Sequence, residues 1–149
     1  MHKTAVLLVA AGLGVLGVVA WASSAQTGPA LIRITSTQKA YVRVDGGPGI
    51  TGDSEYIRMR LFNKKITQSA IGRADFRCSF TFGTGRSCMA TYFLSKGKIV
   101  VGGAISNRDV YDLAILGGTG LYNNARGTLT AIRIGKNPRR EFLIFRLAG

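Results

Sequence analysis

The stretch "LAILGGTGLYNNARGTL", Leu113–Leu129, decides the fold. It runs from an apolar, strand-like segment into Gly117, Gly118, Thr119 and Gly120, the order in which dinucleotide-binding folds begin. Such a fold needs a strand, a glycine-rich turn, a helix and further strand–helix units. Only 29 residues come after Gly120, and they open with "LYNNARG", two asparagines and a glycine where a phosphate-binding helix would start. The run beyond Gly127 alternates like a strand. The phosphate cradle is excluded. The glycines serve a sheet corner instead, where Gly117, Gly118 and Gly120 are free to take positive φ and let the chain reverse.

Working outward, the rest of the chain is made of short alternating runs. "YVRVD" begins at Tyr41, "YIRMRLF" at Tyr56, "FRCSFTF" at Phe76 and "CMATYFL" at Cys88; "KIVVGGAI" begins at Lys98, "LTAIRI" at Leu129 and "EFLIFRL" at Glu141. Period two at this spacing, in a chain with 20 glycines, predicts one all-β domain, an antiparallel sandwich or barrel. "GPGITGD" (Gly47–Asp53) and "GTGRS" (Gly83–Ser87) read as loops.

The N-terminus has a different grammar. Met1–Lys3 is a short basic head, Thr4–Ala22 an apolar run, and Ser23–Ala25 a small-residue cleavage site. This predicts a secretory signal peptide over residues 1–25 and an all-β domain over 26–149, secreted or periplasmic. The apolar run also nearly spans a bilayer, so an uncleaved N-terminal anchor is the alternative. The small residues favour cleavage, which leaves no stable membrane span.

The formal net charge is +13, and the leader contributes only Lys3 to it. The arginines are scattered, which fits a solvated cationic surface better than a specific nucleic-acid site. The one histidine, His2, lies in the leader. The mature chain therefore lacks Ser-His and Cys-His nucleophile pairs and histidine metal sites, and two cysteines alone cannot supply the usual zinc sphere. No metal and no cofactor is expected.

Alternation puts Phe76, Cys78, Phe80 and Phe82 on one face and Cys88, Ala90, Tyr92 and Leu94 on another. If the chain turns around Gly83 and Thr84, Cys78 lies opposite Cys88, and in an exported protein the pair forms a disulfide. Closing so short a loop adds roughly 2–3 kcal/mol. A reactive thiol at Cys78 or Cys88 is the competing reading.

With these residues in view, "DLAILGGTGLYNNARGTL" resembles the signature of the allene oxide cyclase and dirigent families. The matching elements are the apolar strand, Gly117–Gly120, the aromatic Tyr122, and the triplet Ala125, Arg126 and Gly127. "GKIVVGG" from Gly97, "GD" at Gly52, "LFNKK" at Leu61 and "IGRADFRC" ending at Cys78 are similar to the cyclase pattern, so the likeness covers Gly52–Gly149. It implies an eight-stranded antiparallel barrel with a mostly apolar cavity, a hydrophobic or aromatic small-molecule guest, and self-association as a dimer or trimer. A rigid pocket of this kind steers the stereochemical course of a reactive guest.

Cyclases of this family carry a glutamate and an asparagine on the first strand, and dirigent proteins an aspartate. Here "LIRITST" from Leu31 offers Arg33, Thr35 and Ser36. No catalytic residue is assigned. A dirigent-like guest-binding barrel is the leading reading; a cofactor-free allene oxide cyclase-type isomerase and a cationic envelope protein binding polyanions are the alternatives.

Other polar residues carry weaker expectations. Asp53 and Glu55 share a face beside a glycine loop and read as solvated or turn-forming. Asp109 and Asp112 flank Tyr111 near a barrel mouth and read as ion-paired. Arg126 reaches either a ligand or loop carbonyls. Arg58 and Arg60 share a face with Tyr56 and Phe62, which is either a cationic cavity or a solvated exterior.

Overall fold

The computed structural model describes residues 30–47, 51–63, 69–81, 85–106 and 109–148. The expected leader, residues 1–25, lies outside them. Eight strands run in chain order: β1 (Leu31–Val44), β2 (Ser54–Phe62), β3 (Gly72–Phe80), β4 (Arg86–Leu94), β5 (Gly97–Ile105), β6 (Val110–Gly120), β7 (Arg126–Lys136) and β8 (Arg139–Ala148). Each pairs antiparallel with the next, and β8 returns to β1, closing a barrel. Closure removes the unpaired sheet edges that would otherwise recruit other chains.

The alternation seen in the sequence sets inside and outside. On β2, Glu55, Ile57, Met59 and Leu61 are buried while Tyr56, Arg58 and Arg60 are exposed. Arg58 and Arg60 are therefore external, and Arg58 donates to Asp75 at 2.7 Å on the outer face. Phe62, expected beside them, is buried at the strand end.

Two runs read separately, "LIRITST" and "YVRVD", are one 14-residue strand. Its register shifts between Gln38 and Ala40. Such a bulge adds a residue and re-aims those after it. Ser36 and Gln38 before the bulge stand opposite Leu61 and Met59; Tyr41 and Arg43 after it stand opposite Ile57 and Glu55. All four thus join the inner face.

The middle of the barrel is packed rather than hollow. Tyr92 meets Phe76 and Phe145 edge-on, with ring centroids 5.7 and 4.9 Å apart. Met59, Ile99, Val101 and Leu129 are buried in the same core. An eight-stranded barrel is just wide enough for side chains to fill. Open space within the barrel therefore lies at its ends.

One end carries the glycine signature, between β6 and β7. Gly120 has φ 62°, the left-handed turn conformation expected of it. Gly117 and Gly118 differ from expectation: both remain in β6 without positive φ. Gly118 is needed for space, because a Cβ there would collide with the backbone carbonyls of Tyr122 and Lys98. Tyr122 is buried against this end.

Cys78 and Cys88 are direct partners across β3 and β4. They form a disulfide with an S–S distance of 2.06 Å, which removes the reactive-thiol reading. Arg86 and Ser87, expected in a loop, begin β4.

Candidate functional site at the polar mouth

The end opposite the signature gathers the starts of β2, β4, β6 and β8 and the ends of β1, β3, β5 and β7. Here a cleft of about 410 Å³ is lined by Gln38, Tyr41, Arg133, Lys136, Asn137 and Arg139. The tight β7–β8 connection brings Lys136 and Arg139 to the same rim as Arg133 of β7.

Beneath the rim lies a buried ionic network. The Glu141 carboxylate is 1% exposed. It accepts from Arg139 Nε at 2.7 Å and from the Tyr111 hydroxyl at 2.9 Å. Arg139 Nη2 also donates to the Tyr111 oxygen at 3.1 Å. Across the mouth, buried Glu55 is paired with Arg86. Asp53 accepts from Arg43 and from the Gly46 N–H at 2.8 Å. Asp53 and Glu55 are thus buried and paired, not solvated. They head a strand whose next alternate positions are core residues, and arginine partners satisfy the charges that burial would otherwise penalise.

This setting perturbs the phenols. Burial pushes the Tyr111 pKa far above its ordinary value, and the Glu141 charge adds to the effect. Burial likewise raises Tyr92 strongly. Tyr41 is raised by partial burial and then by Glu55. Asp53 is lowered, first by the Gly46 N–H and then by Arg43.

Among the described residues, three buried polar atoms have no hydrogen-bond partner: Ser36 Oγ, Tyr92 Oη and Arg133 Nε. Ser36 stands opposite Glu141 in the β1–β8 ladder. Tyr92 and Ser36 are buried in the barrel interior, and Arg133 lines the cleft. Buried polar groups normally find partners, so these three atoms are exceptions. Glu55 and Glu141 are each held by an arginine, which suits the mouth to binding and positioning more than to paired-carboxylate acid–base chemistry.

The remaining expectations separate. Asp109 lies 3.6 Å from Arg133 at the mouth. Asp112 is outside, accepting from Thr130 Oγ1 at 2.6 Å. Arg126 donates to the carbonyl of Leu116 at 2.8 Å, the structural alternative. Thr35 donates to the Asn63 carbonyl, and Arg33 is exposed. The residues Gly117, Gly118, Thr119, Gly120, Tyr122, Ala125, Arg126 and Gly127 all sit around the far end or its approach. Among the described residues no group of three or more His, Cys, Asp or Glu side chains could hold a metal. Sequence reasoning missed Gln38, Arg133, Lys136, Asn137, Arg139 and Glu141.

A closed barrel of eight antiparallel strands, with its polar groups drawn to one mouth, is a distinctive architecture. The fold is the dirigent-type barrel. Solved structures share it, three of them as follows. A pyocyanin demethylase superposes with a TM-score of 0.67 at 24% identity over 79% of this chain and 99% of that one. An exo-specific intermolecular Diels-Alderase gives 0.62 at 15% identity over 77% and 97%. A pterocarpan synthase dirigent protein gives 0.61 at 16% identity over 80% and 96%. No protein-family model and no curated protein matches the sequence. In the dirigent-type barrel of this chain, the signature glycines shape one end, where a cleft of about 280 Å³ is lined by Ile32, Ile71, Leu94 and Tyr122 among others, while the cleft of about 410 Å³ opens at the other.

Proposed function

We propose that this chain is an exported dirigent-type barrel that binds a hydrophobic or aromatic small molecule at its polar mouth and steers the stereochemical course of its reaction. The observation that carries the reading is the cleft of about 410 Å³ whose Arg139 is anchored on the buried Glu141 and Tyr111. Its volume falls within the range of small-molecule sites. Walls set on paired strands are rigid, and a rigid pocket restricts which conformer of a guest reacts. The names of the structural neighbours, a demethylase, a Diels-Alderase and a pterocarpan synthase, describe small-molecule chemistry on this scaffold.

The disulfide supports an oxidising compartment, to which the leader over residues 1–25 would route the barrel over 26–149. In this reading the signature residues build the scaffold and no metal or cofactor takes part. Exposed Val42, Tyr56 and Met89 on the outer wall favour a dimer or trimer.

Native mass spectrometry of the barrel purified from envelope extract tests the proposal. A small molecule released on denaturation supports it. A guest-free barrel whose melting temperature no hydrophobic or aromatic compound shifts contradicts it.

A cofactor-free isomerase is the second reading, favoured by Gln38, an amide on the first strand that faces the cleft. Only spontaneous, racemic product from an allene oxide incubated with the protein would remove it.

A further inference from the structure

We infer that the mouth selects guests bearing an oxyanion, a carboxylate above all, and that Arg133 and Lys136 form the clamp that reads it. The inference rests on the guest-binding reading and deepens it by naming the chemical class. Charge accounting within the cleft leads there. Of its three cations, Arg139 is committed: Glu141 holds it at 2.5 Å from below. Arg133 is not. Its Nη1 makes a 3.6 Å contact with Asp109, whose side chain is 72% exposed, and its Nε is buried without a partner. A guanidinium N–H left dry and unpaired is costly unless a ligand or solvent accepts from it. Lys136, at the end of β7, has no ion pair among the described residues and lies on the same wall.

The surrounding groups agree with an anion. Glu141 and Glu55 are neutralised by Arg139 and Arg86, so neither repels an incoming carboxylate strongly. Gln38 and Asn137 supply amide donors beside the cations. Tyr41 is half-exposed at the lip and offers an aromatic wall to the body of the guest. A guanidinium can meet a carboxylate through two parallel N–H donors, which fixes orientation as well as affinity. That fixed orientation is what stereochemical control requires.

A matched pair of probes separates this inference from the reading beneath it. 2-Naphthoate and 2-naphthamide have the same ring system and nearly the same shape, and differ in charge. Isothermal titration of the intact barrel at low salt is expected to show naphthoate binding on the order of tenfold tighter than naphthamide. The preference should shrink to within about twofold in an Arg133→Gln/Lys136→Gln double variant. Melting temperature and far-ultraviolet circular dichroism confirm that this variant is folded, and single variants stand in if it is not. Equal binding of the two probes overturns the oxyanion inference while leaving the guest-binding reading intact. A naphthoate preference unchanged in folded variants also overturns it, because the anion then sits on other surface cations. Failure of both probes to bind at millimolar concentration overturns the inference and the reading together.

Discussion

Tyr111 and Glu141 stand 30 residues apart in sequence and are joined by a 2.9 Å hydrogen bond inside the barrel. The two side chains arrive from β6 and β8, on either side of β7, and Arg139 bonds both. This triad ties β6 to β8 across β7 beneath the candidate site, so it couples the stability of the barrel to the shape of its mouth.

Breaking the triad should be expensive in an ordered way. Glu141→Gln leaves Arg139 without its counter-charge and is expected to destabilise by about 3–5 kcal/mol. Tyr111→Phe removes the hydroxyl's hydrogen bonds to Glu141 and from Arg139 and is expected to cost at least about 1.5–3 kcal/mol. Urea titrations of both and of the double variant check this. Strictly additive losses would show that the residues do not act as a unit.

The three glycines of the signature should not be equivalent. Gly117→Ala is expected to lie within about 0.5 kcal/mol of the parent, since its added Cβ meets only Arg126 Nη1 at 3.8 Å. Gly118→Ala drives a methyl into two backbone carbonyls, and Gly120→Ala combines φ 62° with a clash against the Lys96 carbonyl. Each of these should lose at least about 1–3 kcal/mol. Comparable melting temperatures for all three variants would refute the assignment of roles.

Reduction of Cys78–Cys88 should lower stability by roughly 2–3 kcal/mol without unfolding the core. Both sulfurs are buried, so reduction should be slow until denaturant opens the barrel. Thermal melts with and without reductant, and thiol labelling against urea, measure the two effects. Rapid labelling in native buffer would contradict the buried placement.

Stability should fall at both ends of the pH scale, for opposite reasons. Asp53 has a lowered pKa, so its contribution is present above about pH 4 and is lost as pH falls through the folded value. Tyr111 and Tyr92 have raised pKa values, so theirs is present below about pH 10 and is lost as pH climbs beyond the unfolded value. Ultraviolet titration near 295 nm should show these two phenols ionising only as the barrel unfolds. Full ionisation of all five tyrosines around pH 10 in a folded protein would overturn their burial.

The strands were legible because one-sided burial writes period two into the sequence, and the cysteine pairing followed from that alternation. The site was harder to see for three physical reasons. A bulge between Gln38 and Ala40 joined two short runs and turned Gln38 and Tyr41 inward, and nothing local in the sequence marks it. Glu55 read as solvated or turn-forming, and nothing local singled out Glu141 as buried. Each nevertheless heads an alternating series, Glu55–Ile57–Met59–Leu61 and Glu141–Leu143–Phe145–Leu147, and that phase was the available signal. Their partners Arg86 and Arg139 lie on other strands or across a turn, so pairing emerges only when the barrel closes. The signature drew attention to the glycine end, whereas the larger cleft is at the opposite one.

Location of the guest is the most direct test of the account. Amide ¹H–¹⁵N spectra of the folded barrel, recorded during titration with 2-naphthoate, place the bound ring. Shifts concentrated at Gln38, Tyr41, Arg133, Lys136, Asn137 and Arg139 are predicted. Shifts centred instead on Ile32, Ile71, Leu94 and Tyr122 at the glycine end, or no shifts at saturating ligand, would contradict it.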